Sequence, residues 1–173
     1  IAMFEDPYLG DVIKNTTYDQ IYDEHTFLFS GHSIQYLFNQ FDMELIDVEP
    51  QESHGGSMRY VLAHRGAKPV NKNVQKHLNF ELELGLTDQK TYTKFSKSCE
   101  RYRNDLMSLL NDIKSQGKTI AGYAATSKST TIINYCGITV DHLDCIYDTT
   151  PIKQGKFSPG AHIPVKPHSE FKD

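Results

Sequence analysis

Between positions 119 and 147 the chain reads strand, helix, strand, and no other stretch restricts the fold as much. Residues 119–124 (Thr-Ile-Ala-Gly-Tyr-Ala) have the character of a buried strand, 127–135 of a helix, and 143–147 (Leu-Asp-Cys-Ile-Tyr) of a second strand. Two strands joined through a helix run parallel, because a parallel neighbour can only be reached by a crossover. A Gly/Pro-rich loop over 151–160 then leads to a short strand expected at 162–165. The C-terminal part is therefore expected to be α/β, with a Rossmann-like parallel sheet.

The N-terminal part has a different pattern. Asp6-Pro7 favours a turn, and 9–14 a short helix ended by Asn15-Thr16-Thr17. Ser33 is a candidate N-cap for a helix whose apolar face would hold Ile34, Leu37, Phe38 and Phe41. Strands at 44–49 and 57–63, with Gly55-Gly56 between them, suggest an antiparallel pair closing one edge of a sheet. The run Arg65-Gly-Ala-Lys-Pro69 marks a boundary. Over 87–116, Tyr92, Phe95, Cys99, Tyr102, Leu106, Leu109 and Ile113 alternate spacings of three and four, up to a stop at Gly117. Such a stripe can build a coiled coil, but it lasts only about three heptads, so a long amphipathic helix packed on a neighbour is favoured.

Bulk properties exclude several classes of function. Apolar residues make up 38% and charged residues 23% of 173, a composition that can bury a core. A net charge of -4 argues against broad nucleic-acid binding, which needs a basic stripe. No apolar run approaches the roughly 20 residues of a membrane span. The three cysteines, Cys99, Cys136 and Cys145, lack CxxC spacing, which suits a reducing cytoplasm and offers neither a disulfide framework nor a zinc site. The chain opens on Ile1 and stops on a polar tail, as a segment of something longer would.

Two stretches carry chemistry. Tyr18-Asp-Gln-Ile-Tyr-Asp-Glu-His25 supplies two phenols, three carboxylates and an imidazole beside apolar residues. Such groups can hold, donate or remove a proton. A surface loop anchored by its tyrosines accounts for the same residues, and composition alone leaves the two readings balanced. Glu24 beside His25 lacks the second histidine of a zinc-protease motif. The second stretch, Gly122-Tyr-Ala-Ala-Thr-Ser-Lys-Ser129, falls where strand gives way to helix. It has Walker A spacing except for Ser127, and it misses G-x-G-x-x-G at Ala124 and Ser127. Lys128 with the hydroxyls of Thr126, Ser127, Ser129 and Thr130 makes an anion site at a helix N-terminus the better reading over a polar cap. Lys153 and Lys156 could add charge from the following loop, or could simply be solvated. His54-Gly-Gly-Ser57 reads as a tight turn.

Six segments in order resemble a known family: Phe4-Glu-Asp-Pro-Tyr-Leu9, the 18–25 stretch, His54-Gly-Gly-Ser57, Gly122-Tyr-Ala-Ala-Thr-Ser-Lys128, Asn134-Tyr-Cys-Gly-Ile138 and Lys153-Gln-Gly-Lys-Phe-Ser-Pro-Gly-Ala-His-Ile-Pro164. Together they are similar to the S-adenosylmethionine-dependent sugar C-methyltransferases, which act on nucleotide-linked keto-deoxysugars. The resemblance covers nearly the whole chain. It implies that 1–68 is the C-terminal part of a class I methyltransferase domain, with its closing helix, antiparallel strands and catalytic loop. It implies that 69–173 is a Rossmann-like C-terminal domain, truncated, that holds the nucleotide-sugar. S-adenosylmethionine would be the cofactor, with its main loop outside this chain, and zinc would belong to an absent upstream domain.

The implied reaction methylates a carbon next to a ketone, with His25 as base, Tyr22 donating to the oxyanion and Glu24 in support. Substrate contacts would fall to Tyr18 and His54, and to Tyr123, Thr126, Ser127, Lys128, Ser129, Lys153, Lys156 and His162. The expected partner is the nucleotide diphosphate-linked sugar, with no nucleic acid and no membrane. Ala124 stands where the family often has glycine and Asp23 where it frequently has histidine, which bears on substrate detail more than on reaction type. A non-catalytic nucleotide-sugar-binding module is the alternative, and an NAD-type oxidoreductase domain a more distant one.

Overall fold

In the computed structural model, which describes residues 1–171, the apolar run of β3 (Ser57–His64) is explained by its place as the middle strand of a sheet. It pairs antiparallel with β2 (Met43–Gln51) on one side and with β1 (Ala2–Pro7) on the other. The β2–β3 pair matches the expectation, whereas β1 replaces the turn expected at Asp6-Pro7. Pro7 is tolerated because it ends an edge strand, where no ladder amide is demanded of it. A bulge between Leu45 and Asp47 shifts the alternation of β2. Leu45 and Val48 therefore both enter the main core, while Ile46 joins Val61 and Ala63 in a separate cluster.

The helix α1 (Leu9–Asn15) follows β1 and stops at Thr16, which is left-handed, as the Asn-Thr-Thr run suggested. The next, α2 (Gly31–Asn39), begins two residues before the expected cap. Ser30 is the cap: its hydroxyl accepts from the Ser33 amide at 3.1 Å, and Ser33 Oγ accepts from the Ser30 amide at 2.9 Å. Ser33 is thus the far corner of a capping box. Ile34 is buried and Phe38 packs on the core, but Leu37 and Phe41 are exposed, so the apolar face is narrower than the spacing implied. Sequence reading assigned nothing to α3 (Lys72–Glu83), which starts on an Asn71 cap and packs on β2 and α2.

The tie between α2 and α3 is a carboxylate. Glu81, fully buried, accepts from the Gly31 amide at 2.6 Å, the His32 amide at 3.0 Å, His32 Nδ1 at 2.7 Å, His77 Nε2 at 3.0 Å and the Tyr8 hydroxyl at 3.1 Å. Burial opposes its charge, yet the donors from His77, Gly31 and His32 outweigh it and hold the carboxyl at about 2. The amides of Gly31 and His32 are the leading amides of α2, so the ion also meets the positive end of that helix.

The long helix α4 (Gln89–Ser115) carries the expected stripe, with Cys99 and Leu110 as its buried residues and Tyr102 and Leu109 exposed. Cys99 and Leu110 are three turns apart at the true helical period, from which a strict seven-residue repeat drifts. After it come β4 (Ala121–Tyr123), α5 (Ser127–Cys136), β5 (Cys145–Asp148) and β6 (Val165–Pro167), with a parallel sheet in the order β4–β5–β6. The parallel α/β arrangement stands as expected. The strand expected to be buried over 119–124 is instead a three-residue edge strand whose Tyr123 is 66% exposed. The last strand lies at 165–167 rather than 162–165, and only an isolated bridge joins Pro164 to Phe157. Leu110, Ile133, Cys136, Ile146 and Ile163 form the core of this part.

By its contacts the chain divides into two compact units, 1–17 with 23–97 and 18–22 with 98–173. Among the described residues no helix is long and apolar enough to cross a membrane.

Glu81 generates a prediction about acid. Its folded carboxyl, at about 2, lies below its ordinary value of 4.5. Ionised Glu81 therefore adds stability that is fully present above about pH 4.5 and is lost as pH falls towards 2, on the order of 3 kcal/mol in all. Urea unfolding at a series of pH values should show that loss, and Glu81→Gln should shrink it by a similar amount. Equal acid sensitivity in the variant would remove Glu81 from the explanation.

Candidate active site and anion pocket

The 18–25 stretch is irregular, as expected: one 3-10 turn at Tyr18–Gln20, then a bend at Tyr22 and a turn at Asp23 and Glu24. Its residues divide between the units, with Tyr18 and Tyr22 in the second and Glu24 and His25 in the first. In the second unit the Tyr18 hydroxyl lies 3.6 Å from Cys136 Sγ, and its ring centre 5.1 Å from that of Tyr135. Burial pushes its phenol above the ordinary value, with Cys136 adding to the effect. Tyr22 is half-buried.

In the first unit, His25 Nδ1 lies 3.0 Å from Asp6 Oδ1. Glu24, the neighbour expected to support the ring, is exposed. Burial pushes the Asp6 carboxyl above its ordinary value, and the His25 charge pulls it back. Just beyond the histidine the chain is tied down. The Leu9 amide donates to the Phe29 carbonyl at 3.0 Å, and the Tyr60 hydroxyl donates to the same oxygen at 3.2 Å. Sequence reasoning missed Asp6 because it was spent on a turn with Pro7. The signal was present as a carboxylate alternating with Phe4 and Tyr8.

His54 is exposed and sits in a 3-10 turn, with positive φ at His54, Gly55 and Gly56. The Gly56 carbonyl accepts from the Tyr8 amide at 3.1 Å, and a Cβ on Gly56 would run into the Asp11 carboxylate. The glycine is thus demanded by close approach as well as by φ.

The second stretch, in the second unit, forms a walled turn. Asp148, at the end of β5, accepts from the Ala125 amide through Oδ2 at 2.7 Å and from the Thr150 amide through Oδ1 at 2.7 Å. The Thr150 amide above all holds its carboxyl at about 2, against burial. Lys153 Nζ donates to the Ala125 carbonyl at 2.7 Å and lies 3.5 Å from Asp148 Oδ2. A carboxylate and an ammonium thus hold both polar groups of Ala125. Asp148 was not singled out from sequence, although Asp followed by Thr-Thr-Pro is turn chemistry.

From this turn α5 departs with Thr126 as its cap, in a capping box with Ser129. The Thr126 hydroxyl takes the Ser129 amide at 3.1 Å and its carbonyl takes the Thr130 amide at 3.0 Å, which leaves the amides of Ser127 and Lys128 outside the capping pattern. A cavity of about 440 Å³ opens there, lined by Thr126, Ser127, Ser129, Thr130, Lys153 and Lys156 among others. Most of the expected anion-binding residues therefore come together. Lys128 does not line this cavity, nor does Tyr123, which borders two other hollows, nor does His162, which is exposed with φ 54. Hydroxyls, a helix N-terminus and lysine are a donor set for an anion.

The turn has one strained residue. Ala124 has φ 70, a conformation that costs an L-residue roughly 1 kcal/mol. Ala124→Gly should leave the protein at least as stable as the parent, whereas Ala124→Val should lose about 1–3 kcal/mol. Thermal unfolding reads both, and a harmless valine would show that the left-handed turn is not required.

Comparison with known proteins gives this geometry a family. Residues 52–173 match the family model described as the C-methyltransferase C-terminal domain. The C-methyltransferase NovU of Streptomyces niveus is 35% identical over 162 residues, covering 93% of this chain. The chain spans 39% of that relative's length. By the match over residues 52–173, this chain belongs to the C-methyltransferases.

Proposed function

We propose that the chain is part of an S-adenosylmethionine-dependent C-methyltransferase that methylates the carbon beside the keto group of a nucleotide diphosphate-linked deoxysugar. Family membership supports transfer of a methyl group to carbon. The observation that carries the substrate class is the cavity at the head of α5, which five hydroxyl-bearing residues and two lysines line. A diphosphate suits that donor set, with Lys156 and the Ser127 amide as its main contacts, since Lys153 is already engaged with Ala125 and Asp148.

The β4–α5 turn does not fit the methyl donor's own loop, because Ala124 and Ser127 stand where close approach of a dinucleotide-like ligand needs glycine. On this reading the donor's loop, and the zinc of an upstream domain, belong to the rest of the protein. S-adenosylmethionine would supply an electrophilic methyl group. This chain's residues prepare the carbon that accepts it. His25 removes the proton next to the ketone, since imidazole is a base matched to cellular pH. Tyr22 donates to the oxygen on which charge develops, with Glu24, Tyr18 and His54 nearby in sequence or motif as secondary contacts.

Residues 1–68 would be the methyltransferase part and 69–173 the nucleotide-sugar part, with α3 and the start of α4 packed on the former. The three buried thiols suit a reducing cytoplasm.

In the full-length enzyme, His25→Ala should abolish turnover while calorimetry still detects nucleotide-sugar binding. Turnover near the parent's would rule out His25 as base. Lys156→Ala should weaken nucleotide-sugar binding by roughly tenfold, the loss of one charge-assisted contact. An unchanged Kd would move the diphosphate out of this cavity.

A further inference from the structure

We infer that Asp6, rather than Glu24, is the carboxylate that positions the His25 ring and fixes which of its nitrogens carries the proton. The inference rests on the reading of His25 as the base. Alternation puts Phe4 and Asp6 of β1 on one face with Tyr8 just past its end; Tyr8 is in the core and Phe4 packs against it. A carboxylate in that position is costly unless a polar partner meets it. His25 Nδ1 meets it at 3.0 Å, with both side chains about one-fifth exposed.

The scaffold makes this pairing reproducible. Asp6 is opposite Met58 in the β1–β3 ladder and Pro7 opposite Ser57, so its backbone is fixed by the middle strand of the sheet. The chain beyond His25 is fixed at Phe29 by Leu9 and Tyr60. Glu24 has neither support: it is exposed and in a turn.

An ionised Asp6 can only accept, so the histidine must donate from Nδ1, and the lone pair of the neutral ring is then on Nε2. When Nε2 takes the proton, the C–H bond breaks, an N–H bond forms and the electron pair passes to the carbonyl oxygen as an enolate. The ring becomes a cation with Asp6 already beside it. Asp6 touches neither the substrate nor the transferred proton. It is a positioning residue, and its contribution appears in the chemical step.

The full-length enzyme, labelled with 15N-histidine, provides the test. Long-range 1H–15N spectra, with His25 assigned by its disappearance in His25→Gln, report the tautomer. The parent should show Nδ1–H, and Asp6→Asn should convert it wholly or partly to Nε2–H. In the same variant kcat should fall on the order of 10²–10⁴-fold, with KM for the nucleotide-sugar within about threefold. Asp6→Glu should recover part of the loss. A parent in the Nε2–H form overturns the inference without any variant, which covers the case in which Asp6→Asn does not fold. An unchanged kcat in Asp6→Asn also overturns it. His25→Gln separates the two readings. If it turns over normally, the base assignment fails; if it is inactive while Asp6→Asn is normal, only the role of Asp6 fails.

Discussion

Glu81 is an ion in an interior, and its two oxygens hold together pieces of chain 50 and 73 positions away from it in sequence. A bare carboxylate there would cost several kcal/mol, so the charge survives only while its donors from Tyr8, Gly31, His32 and His77 are all in place. That dependence runs in both directions. Tyr8 follows directly on β1, which carries Asp6, and Gly31 opens the helix that follows the His25 segment. One buried charge therefore fixes the chain on either side of the Asp6–His25 contact without touching it. Tyr8 has a second part in this, because its ring lies 5.1 Å from that of His77 while its amide reaches Gly56.

The second unit uses a carboxylate in a similar way, but at a strand end. Asp148 gathers the amides of Ala125 and Thr150, and Lys153 closes the arrangement from the other side. The two lysines of the 153–156 loop looked equivalent in the sequence. They are not: the Lys153 ammonium is shared between a carbonyl and a carboxylate, while Lys156 is exposed beside the same cavity. Local neutralisation of this kind makes a wall rigid and leaves its hydroxyls and amides to set its polarity.

Elements whose apolar period is strong were legible in the sequence: the β2–β3 pair, α4, and the strand–helix–strand run through β5. Two elements with thin signals were not. In β1 only three of six residues turn inward to any degree, and Asp6-Pro7 imitates a turn. In α3 just Val74 and Leu78 are buried apolar positions, and the third inward residue is the charged Glu81, which any apolar-face argument places outside. The helical stretch of α2 was visible, but Ser30 and Ser33 are both good caps and only the reciprocal hydrogen bonds decide between them. Residue types at the candidate site could be listed from sequence, but their pairings could not. The family resemblance gives His25 an adjacent glutamate as support, whereas the carboxylate beside its ring stands 19 positions upstream on β1, where Asp6-Pro7 imitates a turn.

The short excursion of 18–22 into the unit otherwise built from 98–173 also affects how the protein comes into being. Tyr18 rests against Cys136, 118 positions later, and the Thr131 hydroxyl donates to the Ile21 carbonyl at 3.3 Å. At about 5–20 residues per second, synthesis of that intervening chain takes roughly 6–24 seconds. Throughout that interval residues 18–22 exist with these partners still unmade. The three strands of the first unit can pair once β3 is made, but residues 18–22 must wait for 98–173. A chaperone or protease sampling the nascent chain would find residues 18–22 among the last parts to be protected.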